Sequence, residues 1–140
     1  VLPTVEPTVA PVVVAEAPKP KPTATKSKPA PLVKAGGGCA PAVSLPGNVV
    51  AIVNQYLSGC EAAALLWIIY HESGGNVHAV NKSSGAYGIP QALPGNKMAT
   101  AGADWRDNAE TQVIWMIGYV KNRYGGPTQA YVFWRANGYY

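Results

Sequence analysis

The chain has 140 residues, enough for one modest domain. Only 13% are charged, while 15 Gly and 13 Pro punctuate it. Lys and Arg number 11 against 7 acids, but residues 1–38 hold five Lys and two Glu, leaving six basic and five acidic side chains for 39–140. That near balance argues against a nucleic-acid partner, which would call for a basic stripe on the folded surface. The longest apolar run, Ala62–Tyr70, is nine residues, too short to cross a bilayer, so no membrane insertion is expected.

Residues 1–38 contain eight of the Pro and show neither helical nor strand periodicity. Pro removes backbone donors and blocks helix, so a solvated, semi-rigid spacer is expected here. Its stiffest part is Pro18-Lys19-Pro20-Lys21-Pro22, and Gly36-Gly37-Gly38 forms a joint at its end. All four Trp, all eight Tyr and the one Phe lie beyond residue 55. A domain is therefore expected over 39–140. The two cysteines, Cys39 and Cys60, fit no zinc or redox spacing. They are either two separate buried thiols or one disulfide, and a disulfide suits an oxidising compartment.

Leu45-Pro46-Gly47-Asn48 is turn chemistry with Asn48 as the expected N-cap. A first helix follows through Val49, Ile52, Val53, Tyr56 and Leu57, and Ser58-Gly59 breaks it. A second helix is expected from Glu61 to Glu72, ended by Gly74-Gly75. Residues 74–107 read as loop, with one small hairpin around Ala86–Gln91. Asn108 caps a third helix through Val113, Met116, Ile117 and Val120, with Glu110 in its first turn. Gly125-Gly126 ends it. Pro127 opens a fourth, short helix that Gly138 closes. The whole is a small, mainly helical domain with a long irregular excursion, and such excursions are usually functional.

Glu72 stands three, four and seven residues after Ile69, Ile68 and Leu65. It therefore lies at the end of an apolar stripe, where the helix meets a Gly-rich turn. An apolar setting and the negative end of the helix both disfavour a charged carboxyl. A carboxyl kept protonated is what acid catalysis of glycosidic cleavage requires. The plainer reading is a last-turn Glu that swings into solvent. Other constellations fail. His71-Glu72 starts a zincin-like string, but position 75 is Gly, so the metal site lacks its second His. Ser83 and Ser84 beside Lys82 have no third group. No metal or other cofactor is expected. Trp67 and Trp115 are expected in the core. Trp105, Trp134, Tyr139 and Tyr140 are candidates for stacking on sugar rings, with packing as the alternative.

The string Glu72-Ser73-Gly74-Gly75-Asn76, then Ala79-Val80-Asn81, then Ser84-Gly85-Ala86-Tyr87-Gly88-Ile89-Pro90-Gln91 resembles the active-site block of lysozyme-like lytic transglycosylases. Gly102-Ala103-Asp104-Trp105, Thr111-Gln112, Arg123-Tyr124-Gly125 and Trp134-Arg135-Ala136-Asn137-Gly138-Tyr139-Tyr140 are similar to its secreted and phage-associated branch. The resemblance covers about residues 47–140. It implies an α+β lysozyme-like fold, a secreted or cell-envelope location, and peptidoglycan glycan strands as the partner of a monomeric enzyme. It assigns Glu72 as the single catalytic acid/base, Ser73 as its support and Gln91 to the groove. Tyr119 matches an aromatic on the helix behind the site. Trp134 and Tyr87 join these as substrate-binding candidates. The family's Ala-Tyr-Asn-Ala-Gly is split here between Ala130-Tyr131 and Ala136-Asn137-Gly138, with Asn137 the candidate substrate-binding residue. The implied reaction breaks the β-1,4 bond between N-acetylmuramic acid and N-acetylglucosamine and leaves a 1,6-anhydromuramyl end. The alternatives are a hydrolytic muramidase, with Asp104 holding water, and a glycan-binding wall module without turnover.

Overall fold

The computed structural model describes residues 39–140. The spacer expected over 1–38 lies outside the described residues. Four α-helices make the frame: α1 (Gly47–Tyr56), α2 (Gly59–Glu72), α3 (Ala109–Tyr124) and α4 (Pro127–Asn137). A 3-10 helix (Gly95–Thr100) lies in the excursion between α2 and α3. The described residues form a mainly helical unit with no β-strand. The expected hairpin is reduced to two isolated antiparallel bridges, Val80 with Tyr87 and Tyr87 with Ala92. A loop held by side-chain hydrogen bonds stands there in place of a ladder.

α2 is the central element and packs most extensively on α4. Leu65, Ile68 and Ile69 are fully buried. They meet Val49 and Val53 of α1, Val113, Met116 and Val120 of α3, and Ala130 of α4 in one core. Burying each such aliphatic side chain contributes about 1.5–3 kcal/mol before chain entropy is counted. Met98 of the 3-10 helix is also fully buried. A six-residue stretch with one apolar anchor leaves no period to read in the sequence, so this helix was not expected.

The helix ends follow local chemistry, with one correction. Asn48 does not cap α1: the helix begins at Gly47, and Pro46 is the N-cap. The Pro46 carbonyl accepts from the Val49 and Val50 amides at 3.0 and 3.2 Å, so the fixed Pro backbone does the work assigned to an Asn side chain. α2 starts two residues before the expected Glu61. Asn108 caps α3 as expected, its side chain accepting from the Glu110 amide at 2.9 Å. Gly125 and Gly138 end α3 and α4 in the left-handed conformation. Tyr56 Oη donates to Glu110 Oε1 at 2.6 Å, tying the end of α1 to the start of α3.

Cys39 and Cys60 form a disulfide across a sequence separation of 21. It fastens the entry of the domain to the first turn of α2. Closing a loop of that length contributes roughly 3 kcal/mol through the unfolded chain. The double variant Cys39→Ser/Cys60→Ser should therefore lose about 3 kcal/mol in denaturant unfolding while keeping its helical far-ultraviolet signal. An unchanged midpoint would contradict this.

Candidate active site

Glu72 is the last residue of α2 and is half-buried. Its Oε1 accepts a hydrogen bond from the Trp134 indole Nε1–H at 2.9 Å. Trp134 is itself held: its ring meets Trp67 edge-on at 4.9 Å and lies 5.1 Å from His71. His71 stacks on Trp67 at 3.8 Å, and its Nδ1 lies 2.8 Å from the Trp67 carbonyl. The carboxyl is thus fixed by an aromatic cluster from α2 and α4 and does not hang in solvent. Trp134 and Trp67 are both half-buried members of that cluster, so Trp67 is less enclosed than the core position expected for it.

Ser73 ends α2. Its amide closes the helix on the Ile69 carbonyl at 3.0 Å. Its Oγ donates to the Ile89 carbonyl at 2.8 Å and accepts from the Gly75 amide at 3.2 Å. The catalytic candidate is therefore joined through its neighbour to the turn 88–91. Gln91 in that turn is buried and has φ of 53°. Its Nε2 donates to the Ala79 and Gly88 carbonyls at 3.2 and 3.0 Å. The amide that the resemblance places on the groove wall thus also braces the turn.

The turn rests on Gln112, a fully buried side chain of α3. Its Oε1 accepts from the Ile89 amide at 2.8 Å. Its Nε2 donates to the Val77 and Trp105 carbonyls at 3.0 and 2.8 Å. Three distant points of the excursion meet on one amide, which explains how this region dispenses with a sheet. Gly88 gives Gln112 its room: φ is 76°, and a Cβ there would lie 2.6 Å from Gln112 Oε1. Sequence reasoning placed Gln112 only within a resembling segment. The available signal was its register, because residues 112, 116 and 120 form a four-residue repeat on the buried face of α3 and two of the three are apolar.

A pocket adjoins the turn, lined by Pro90, Gln91, Ala92, Leu93, Lys97, Trp115, Tyr119 and Tyr140. Tyr119 stacks on Trp115 at 5.1 Å and meets Tyr140 edge-on at 5.6 Å. Trp115 is half-buried in this wall and not enclosed in the core as expected. Tyr140, a stacking candidate with packing as the alternative, is buried, and its Oη donates to the Pro90 carbonyl at 2.5 Å. Burial, followed by the nearby Glu72 charge, pushes the Tyr140 phenol well above its ordinary range. It remains a neutral donor to the Pro90 carbonyl.

Tyr87 is half-buried; its Oη donates to the Arg106 carbonyl at 2.9 Å and its ring meets Trp105 edge-on at 5.6 Å. Trp105 carries the Arg106 guanidinium 4.8 Å above it. Asn137 is exposed and donates back to the Phe133 carbonyl at 2.9 Å. Tyr139 packs against Phe133 at 5.5 Å. Asp104 accepts from Thr111 Oγ1 at 2.7 Å and Asn108 Nδ2 at 2.6 Å. Those bonds, Thr111 first and Asn108 next, hold its carboxyl below the ordinary range. His78 Nε2 lies 2.8 Å from Asp107 Oδ1 on the exposed side of the excursion. No cluster of three metal-ligating side chains occurs among the described residues. No protein-family model, curated protein or solved structure matches the chain.

Two measurements check this architecture. Gly88→Ala combines a left-handed backbone with overlap on Gln112, and should cost about 3 kcal/mol in denaturant unfolding. Retained stability would contradict the close approach. Asp104 is more acidic in the folded chain than its reference value of 3.8. Its contribution is thus present above that pH and lost as pH falls through the lower folded value. Asp104→Asn should lower the melting temperature at neutral pH, and the gap from the wild type should close on acidification below pH 3.8.

Proposed function

We propose that the chain is a lytic transglycosylase with a lysozyme-like domain, acting on peptidoglycan with Glu72 as its acid and base. The carrying observation is the half-buried Glu72 carboxyl at the end of α2, held at 2.9 Å by the Trp134 indole. In the proposed reaction Glu72 delivers its proton to the glycosidic oxygen between N-acetylmuramic acid and N-acetylglucosamine. The N-acetyl group of the muramic acid assists departure of the leaving sugar. The Trp134 N–H stabilises the carboxylate formed by that transfer, since a hydrogen bond to an ionised acceptor is the stronger kind. The carboxylate then takes the proton of the 6-hydroxyl as that oxygen closes on C1. The carboxyl is restored, and the product carries a 1,6-anhydro ring.

The other acids support a one-carboxylate reading. Asp104, Asp107 and Glu110 are each bonded to a different partner. Glu61 lies eleven residues earlier on α2, about 16 Å along the axis at the usual helical rise. Paired-carboxylate glycosidases hold their two groups roughly 5–10 Å apart. The disulfide suits an oxidising, extracellular setting, and no described helix is long and apolar enough to cross a membrane. The Pro/Lys-rich segment 1–38 would then serve as the spacer through which the domain reaches wall glycan.

Glu72→Gln tests the proposal. Gln keeps an acceptor for the Trp134 N–H and has no acidic proton to deliver. Release of soluble muropeptides from purified peptidoglycan should fall by about 1000-fold or more, with the melting temperature nearly unchanged. Wall cleavage at the wild-type rate would remove Glu72 from the reaction.

A further inference from the structure

Gln112 occupies a position where an apolar residue would extend the buried stripe of Met116 and Val120. What its amide supplies instead is a connected route to the acid. Oε1 takes the Ile89 amide at 2.8 Å. The carbonyl of the same residue takes Ser73 Oγ at 2.8 Å. Ser73 directly follows Glu72 and closes α2 on Ile69 at 3.0 Å. Ile89 is fully buried, so this link cannot shift on its own. The neighbouring Pro90 carbonyl carries the Tyr140 hydroxyl, and Gln91 lines the pocket. One amide is therefore bonded, through Ile89, to the helix end that bears the acid, and the turn it holds also forms part of the pocket wall.

We infer that Gln112 is a positioning residue for the Glu72 carboxyl, acting through Ile89 and Ser73; its kinetic part rests on the reaction proposed above. Gln112 does not touch substrate in this role. It holds the carboxyl against Trp134. A purely structural amide would stabilise the excursion and leave the geometry at Glu72 indifferent to it.

The test uses the full chain with Ser73→Ala, Gln112→Met and their combination, and Tyr56→Phe as a remote control; Met keeps the length of the side chain and removes the acceptor for the Ile89 amide. The first readout needs no turnover: the nuclear magnetic resonance signal of the Trp134 indole N–H, which reports its bond to Glu72. It should move in Ser73→Ala and in Gln112→Met and stay in place in the control. The second is glycan cleavage. Each single variant should lose about tenfold or more in kcat with KM held within about threefold, and the double variant should be no slower than the slower single, as expected for two links of one route. An unmoved indole signal in folded Ser73→Ala, losses confined to KM, or losses that multiply in the double variant would overturn the inference. If Gln112→Met does not fold, Ser73→Ala decides it by the same two readouts. Should Glu72→Gln cleave glycan like the wild type, the reaction is wrong, and the indole signal alone still settles the positioning.

Discussion

The excursion between α2 and α3 keeps its shape because one buried amide, that of Gln112, satisfies backbone groups from three separate stretches of chain. Single bonds also cross this region, from Ser73 to Ile89, Gln91 to Ala79, Tyr87 to Arg106 and Tyr140 to Pro90. Its bridges are isolated and its one regular element is a six-residue 3-10 helix. A buried polar group left without a partner costs about 1–3 kcal/mol. Three such groups meeting on one side chain outweigh the burial of any single aliphatic residue in the core. The amide also imposes a demand on the sequence, since Gly88 must leave space where any side chain would collide.

From that anchor the site follows in short steps. α2 delivers Glu72 at the end of a fully buried stripe. The helix C-terminus is a poor neighbour for a negative charge, and the Trp134 indole offsets it with a directed donor. Ser73 and Ile89 join that helix end to the turn, and Tyr140 joins the turn to the end of the described chain. The aromatic side chains divide between two jobs. Trp67, His71 and Trp134 hold the carboxyl, while Trp115, Tyr119 and Tyr140 build the pocket wall. Rings of this kind are amphipathic and suit a half-wet wall on which a sugar face can lie.

Much of the frame was legible in the sequence. The apolar spacing of α3, the Asn108 cap and the Pro127 and Gly138 punctuation all have local causes, and each falls where expected. Glu72 was legible for the same reason, as its distance from Leu65, Ile68 and Ile69 is a local count. What escaped depends on contacts between distant segments. Pro46 displaced Asn48 as the α1 cap because a backbone carbonyl served equally well. The 3-10 helix rests on one buried Met98. Tyr140 is buried by a partner fifty residues away in sequence. Gln112 carried only a faint sign, a polar residue in an apolar register, and its three partners could not be read from local spacing.

The account stands on one carboxyl serving first as acid and then as base, with the sugar's own hydroxyl as the nucleophile. The most direct measurement is the mass of the fragments released when the protein digests purified glycan strands. Every newly formed muramyl end should carry the mass of an intramolecular ether, with no water gained. New ends that each weigh one water more would mean that a solvent molecule had attacked, and would contradict it.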